Sequence, residues 1–264
     1  MRAKRGFTLL EILVVIGVIS ILLGFLLPAI ERARHRAYIA DCANNLRQIG
    51  TYLLVYSNEN HGGYPRTVYV AGAPVTRGTG MAARDPFQVG GPQPNDVTAA
   101  VYLLLRTQHV PPAILNCPYD DVHEFEPEPA DPQTHSNFTD IHKDLGYSIA
   151  NPYPSAAAVA LGYKWTNHLS AEFAVAADIN PGNLAPYDDV FTATPTSPWN
   201  VMKKANSENH ERDGQNVLFG DGHVTWCKTP FVGVRDDNIY TTKNAQLEAS
   251  PLDKDDSILL PTDD

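Results

Sequence analysis

Residues 6–30 read GFTLLEILVVIGVISILLGFLLPAI, and this stretch decides the architecture of the chain. The 24 residues from Phe7 to Ile30 carry one charge, Glu11. At about 1.5 Å rise per residue, a helix of that length crosses the roughly 30 Å hydrocarbon layer of a bilayer. Leucine and β-branched residues occupy every face, with no polar period, so the segment suits lipid on all sides. A cleaved secretory signal would need a shorter apolar core followed by small residues. Here Pro28, Ala29, Ile30 and Glu31 follow instead. A carboxylate within a spanning helix costs about 2.5–3.5 kcal/mol on insertion scales, which marks Glu11 as a candidate functional residue. Snorkelling to the membrane surface is the plainer alternative. Pro28 lacks an amide hydrogen and clashes with the preceding turn, so a kink or local melting is expected there.

Outward from this segment, the helical pattern continues. Ile39, Cys42, Leu46, Ile49, Leu53 and Tyr56 recur every three or four residues, the mark of one buried stripe. Arg32, Arg36, Asn45, Arg47 and Gln48 take the other faces. The helix is expected to end near Glu59, where Asn60-His61-Gly62-Gly63 supplies a glycine cap. Residues 62–96 are glycine- and proline-rich and read as a long surface loop. Asp96 is placed to cap a short helix, 97–107, with Val101, Leu104 and Leu105 on one side. Strands are expected at 146–150, 172–177, 216–219 and 223–227. Gly220-Asp221-Gly222 between the last two is a hairpin turn signal. Long proline-containing connections favour an antiparallel sheet over a parallel one.

The 264 residues suffice for one substantial domain plus an anchor. A net charge of −10 argues against a general nucleic-acid binder, since no broad face would neutralise phosphates. The acid concentrates at 120–131 and 253–264, both read as solvated segments. Three cysteines, Cys42, Cys117 and Cys227, permit at most one bridge, and the sequence does not choose the pair. Cys42 falls on the apolar stripe and reads first as core. The absence of CxxC or Cys/His zinc spacing argues against a structural zinc site.

Residues 206–223, NSENHERDGQNVLFGDGH, gather His210, Asp213, Asn216, Asp221 and His223. One reading is a glycine-turned hairpin whose Asp and Asn side chains bond local backbone. A second is a calcium site built on Asp213 and Asp221 with backbone carbonyls, although no EF-hand spacing is present. Catalysis has no motif to support it: no nucleophile elbow, H-E-x-x-H or phosphate loop occurs.

The string Gly6-Phe7-Thr8-Leu9-Leu10-Glu11, behind the basic leader Arg2, Lys4 and Arg5, resembles the prepilin cleavage and methylation motif of type IV pilins and type II secretion pseudopilins. That resemblance implies cleavage after Gly6 by prepilin peptidase and methylation of the new amine on Phe7. It also implies that Glu11 neutralises the Phe7 ammonium of a neighbouring subunit, since a pair in low dielectric is far cheaper than two isolated charges. Pilin helices commonly carry a proline at the place of Pro28. Arg32, Arg34 and Arg36 follow the span closely, so charge alone nearly ties the orientation; the resemblance puts the leader in the cytoplasm. The C-terminal region is similar to a His-spacer-Asp-Gly motif of bacterial pilin-like proteins, matched by His210 and Asp221-Gly222 ahead of His223. Ten residues separate His210 from Asp221, one more than the usual pattern. Cys42–Gly50 (CANNLRQIG) and Asn116-Cys117-Pro118 agree with the same group.

The implied fold is α+β and pilin-like: leader 1–6, transmembrane helix 7–30, amphipathic stem 31–60, and a loop-rich antiparallel β-sheet head over 61–264 with an acidic tail. The implied role is a non-enzymatic filament subunit of a type II secretion pseudopilus or type IV pilus. It would stand in the bacterial inner membrane with its head in the periplasm until assembly. Its partners would be prepilin peptidase, other pilin-like subunits, an assembly platform and lipid. A membrane-tethered periplasmic binding or hydrolytic domain with a His/Asp metal site is the rival. A deep pocket lined by His210, Asp213, Asp221 and His223 would favour it.

Overall fold

The computed structural model describes residues 8–119, 132–184 and 186–263. The acidic stretch 120–131 and the expected cleavage residues Gly6 and Phe7 lie outside that set. Helix α1 runs Leu9–Glu59, 51 residues, with Thr8 as its N-cap. Helical backbone continues through Pro28, so the expected local melting is not seen. A proline removes one amide donor, and the turns on either side retain their own bonds. The helix ends as expected: Asn60 caps it, and Gly62, at φ +84°, turns back to donate its amide to Ser57 O at 2.8 Å.

The two halves of α1 differ in surroundings rather than in backbone. From Leu9 to Ile30 the apolar side chains are exposed, Leu9 at 83% and Phe25 at 77%. Beyond them, Cys42, Ala43, Leu46, Ile49, Leu53 and Ser57 are buried against the head. Ile39 and Tyr56, expected on the same stripe, are half-buried at its edge.

The head is built from β1 (Tyr147–Ala150), β2 (Ala174–Asp178), β3 (Gln215–Phe219), β4 (Val224–Cys227), a small pair β5 (Phe231–Gly233) and β6 (Asp237–Asn238), and β7 (Leu259–Leu260). The main sheet is antiparallel throughout, in the order β4-β3-β2-β1-β7. Helix α2 (Val97–Gln108) and the short α3 (Ile141–Asp144), α4 (Ala156–Ala160) and α5 (Trp199–Ala205) lie in the connections. The stem half of α1 packs on this sheet. Gly50 permits close approach there: a Cβ at that position would stand 3.1 Å from Leu218 Cδ1. Nearer the exposed half of α1, Asn216 Nδ2 on β3 donates to Ile39 O at 3.1 Å.

Two expectations are corrected. The tail 253–264 is not wholly solvated. Ile258, Leu259 and Leu260 are buried, and β7 pairs with β1 through Ile149 and Ala150. The acids mask a short apolar run that completes the sheet edge. Helix α2 is buried from Val97 to Leu105, not on one side only, because the loop 62–96 folds over its outer face. That loop is anchored, not merely superficial. Asp96 Oδ1 accepts from Ala99 N at 2.9 Å and Thr98 Oγ1 at 2.8 Å, while Oδ2 accepts from Thr79 N at 2.9 Å and Asn137 Nδ2 at 3.1 Å. Asp96 is fully buried. Asp96→Ala removes a helix cap worth about 1 kcal/mol and leaves several buried donors unpaired at roughly 1–3 kcal/mol each. A loss of at least about 3 kcal/mol in denaturant unfolding is expected; a change under about 1 kcal/mol would show that the loop is not held through this carboxylate.

Candidate functional site

At the start of α1, Glu11 is engaged within its own chain. Its Oε2 accepts from Thr8 N at 2.8 Å and Thr8 Oγ1 at 2.9 Å, and Thr8 Oγ1 accepts from Glu11 N at 3.2 Å. This reciprocal arrangement is a capping box, which satisfies two amides that a helix start leaves without partners. Thr8-x-x-Glu11 spells that box in the sequence, and Thr8 is the functional residue that the motif reading passed over. Glu11 thus has a local role in addition to any role between subunits.

The C-terminal motif divides into two places. Asp221, Gly222 and His223 form the exposed tip of the β3–β4 hairpin. Asp221 Oδ1 accepts from His223 N at 3.0 Å, its carboxyl is held below the usual range by that bond and by the His223 ring, and the ring stacks on Phe219 at 4.6 Å. Asp213 precedes β3 at the far end of the same strand and pairs with Lys203 at 2.8 Å. Asp213 and Asp221 are therefore not brought together. The cleft that includes Asp221 and Gly222 is otherwise lined by Gly50, Leu53, Leu54, Tyr64 and their neighbours, without His210, Asp213 or His223.

His210 goes elsewhere. It lies in a turn where His210, Glu211 and Arg212 all have positive φ, at 59°, 61° and 59°. Left-handed backbone costs an L-residue about 1–2 kcal/mol, and such strain persists only where its surroundings impose it. Here Arg212 pairs with Asp188 and with Glu208 at 2.8 Å, Tyr119 Oη donates to Glu211 Oε1 at 2.8 Å, and Asn209 Nδ2 donates to Gly146 O at 3.1 Å. The result drives a fully buried imidazole into the interior.

There it meets three other buried groups. One donor atom from each of Cys42, Cys117, Asp178 and His210 lies within 4.8 Å of all the others. His210 Nε2 is 3.8 Å from Cys117 Sγ and 3.6 Å from Asp178 Oδ2. Cys42 comes from the stem, Cys117 from the loop after a 3-10 turn (Pro112–Leu115), Asp178 from the end of β2, and His210 from the left-handed turn. The rings of Tyr119 and Trp226 close over His210 at 5.3 and 5.6 Å. Asp178 Oδ2 accepts from Asn216 N at 2.6 Å, but Oδ1 has no hydrogen-bond partner although buried. Burial pushes the Asp178 carboxyl up to about 7 against the pull of those Asn216 donors. Burial, then the charge of His35, pushes His210 down to about 4. The neighbouring Cys42 thiol, burial and the Asp178 charge all raise Cys117. No disulfide joins Cys42, Cys117 and Cys227; Cys227 lies on β4, outside the cluster.

The sequence reading against a Cys/His metal set rested on local spacing, and this set has none. Its members are 75, 61 and 32 residues apart (42 to 117, 117 to 178, 178 to 210), and only the fold brings them together.

With both regions in view, residues 1–27 match the family model described as the prokaryotic N-terminal methylation motif. The chain carries the type IV pilin and pseudopilin signature. No curated protein and no solved structure matched the chain. The pilin-like motif supports a precursor processed by prepilin peptidase and a structural subunit rather than an enzyme. With the exposed apolar half of α1, it fits a membrane-anchored, single-pass protein. The long helix on a small antiparallel sheet agrees with a pilin-like α+β fold.

Proposed function

We propose that this pilin-like chain is a non-enzymatic filament subunit of a type II secretion pseudopilus or a type IV pilus, cleaved after Gly6 and methylated on Phe7. Its head stands in the periplasm while α1 holds it in the inner membrane. An assembly platform then transfers it to a helical bundle of related subunits. The observation that carries this reading is the methylation motif opening a helix whose apolar half, residues 9–30, is covered by no described part of the head. Such a surface needs lipid before assembly and neighbouring helices after it. In this reading Glu11 meets the amine of an adjacent copy; its place in the first turn, where the capping box holds its carboxylate at the helix start, supports that role.

Mass spectrometry of the protein from membranes tests the processing step. The mature chain is expected to begin at Phe7 with a mass increment of one methyl group on its amine. A chain that retains Met1 in cells with active prepilin peptidase overturns the reading.

A further inference from the structure

We propose that Cys42, Cys117, Asp178 and His210 form a closed, four-ligand site for a zinc-class divalent cation that fastens the stem helix to the head. Donor chemistry and geometry argue together. Two thiolates, one imidazole and one carboxylate form a mixed S/N/O set suited to tetrahedral Zn2+. With metal–sulfur bonds of about 2.3 Å and metal–nitrogen or –oxygen bonds of about 2.0–2.1 Å, ligand atoms of a tetrahedron stand about 3.3–3.8 Å apart. The separations of 3.8 and 3.6 Å from His210 Nε2 to Cys117 Sγ and Asp178 Oδ2 are close to that range. The whole set, within 4.8 Å, needs only a small contraction.

The second observation is the state of the groups without an ion. Asp178 is fully buried, and its Oδ1 lacks any hydrogen-bond partner. No Lys or Arg pairs with it among the described residues; the basic group recorded against it is His210. A buried carboxylate without a cation is costly, and a divalent ion removes that cost. Binding displaces the two thiol protons to solvent, together with any proton held on the Asp178 carboxyl. The bound set then carries two thiolates and a carboxylate against the dication, one net negative charge. That charge faces the Asn216 amide donors on Asp178. The aromatic cover of Tyr119 and Trp226 keeps the site dry, as tuned metal sites require. Four protein donors leave no open position, which makes the role structural rather than hydrolytic. The strained turn at His210 also gains a reason, because it aims Nε2 at the other three donors.

The test uses the full-length chain purified in detergent, reduced, reconstituted with Zn2+ alone or Co2+ alone, and freed of excess metal. Elemental analysis is expected to give about one zinc per chain. The cobalt form should show thiolate charge-transfer bands and the intense visible bands of tetrahedral Co2+. Cys42→Ser, Cys117→Ser and His210→Gln are each expected to lower metal affinity at least tenfold, a scale that loss of even an outer-shell partner reaches. Cys227→Ser, also buried but outside the cluster, should keep it. Removing zinc from the wild type should lower the melting temperature of the head. Wild-type protein that takes up neither metal overturns the proposal, and so does equal loading of the Cys42→Ser/Cys117→Ser double variant. A Cys42–Cys117 disulfide in freshly isolated protein would also overturn it. These readouts do not depend on filament assembly, so the site and the filament reading can fail separately.

Discussion

Glu11→Gln is expected to leave the subunit cleaved, methylated and present in the membrane, yet absent from filaments. Glutamine at the third helical position can still reach back to the Thr8 amide, so the capping box and the helix start survive. What disappears is the negative charge. If the carboxylate neutralises the Phe7 ammonium of a neighbouring copy, its loss strands a cation in an apolar bundle. Breaking such a buried pair costs about 3–5 kcal/mol, a hundredfold or more in subunit affinity. Thr8→Ala makes the opposite change: it weakens the cap by about 1 kcal/mol and keeps the charge, so assembly should persist. Quantitative immunoblots of sheared filaments and membranes read both variants. Filaments of normal yield from Glu11→Gln, together with failure of Thr8→Ala, would assign Glu11 to helix capping alone.

Gly146→Ala is expected to destabilise the head, because the added methyl would run into backbone beside Cys117. A Cβ there would stand 2.5 Å from Cys117 N and 3.1 Å from Asn116 Oδ1. The first of these is backbone and cannot rotate away. The same residue donates to Leu115 O at 2.9 Å and accepts from Asn209, next to His210, at 3.1 Å. Relief of the clash therefore moves Cys117 and loosens the turn that aims His210. Overpacking of this kind costs about 1–3 kcal/mol, occasionally more, and the upper end is expected here. Cobalt uptake should fall in the same variant. Gly72→Ala is the control: its φ of +80° strains a side chain, but nothing lies within 4 Å of the added carbon. A melting temperature for Gly146→Ala no lower than that of Gly72→Ala would show that yielding at the Cys117 segment costs no more than left-handed strain in open space.

What the sequence discloses is what is local. The apolar run, the three-and-four stripe from Cys42 to Leu53 and the Gly220-Asp221-Gly222 turn each report on neighbours a few residues away, and all three correspond to elements of the fold. The Thr8-x-x-Glu11 box was equally legible and was overshadowed by the cleavage motif that shares its residues. Strand β7 was hidden because two residues, Leu259 and Leu260, make the edge within a tail whose composition is dominated by aspartate. Helix α2 showed an apolar side, but burial on its remaining faces depends on a loop that carries no period. The cluster is the extreme case. Cys42 read as core and His210 as part of a hairpin motif, both from their own surroundings. Nothing short of the sheet order brings β2, the stem and the left-handed turn to one point.

The position of that cluster along α1 has a mechanical consequence. Among the described residues, the head first touches the helix at His35, whose ring meets those of Tyr119 and His210 at 5.4 and 6.1 Å. Five residues of helix, about 7.5 Å, separate His35 from Ile30, which is near the thickness of one lipid headgroup layer. Any tension applied through the anchor therefore enters the globular part at this lower rim, before it reaches Leu46 or Leu53. A cross-link between Cys42 and the loop, strand and turn around it would spread that force into several segments at once, instead of letting the helix peel from the sheet one turn at a time.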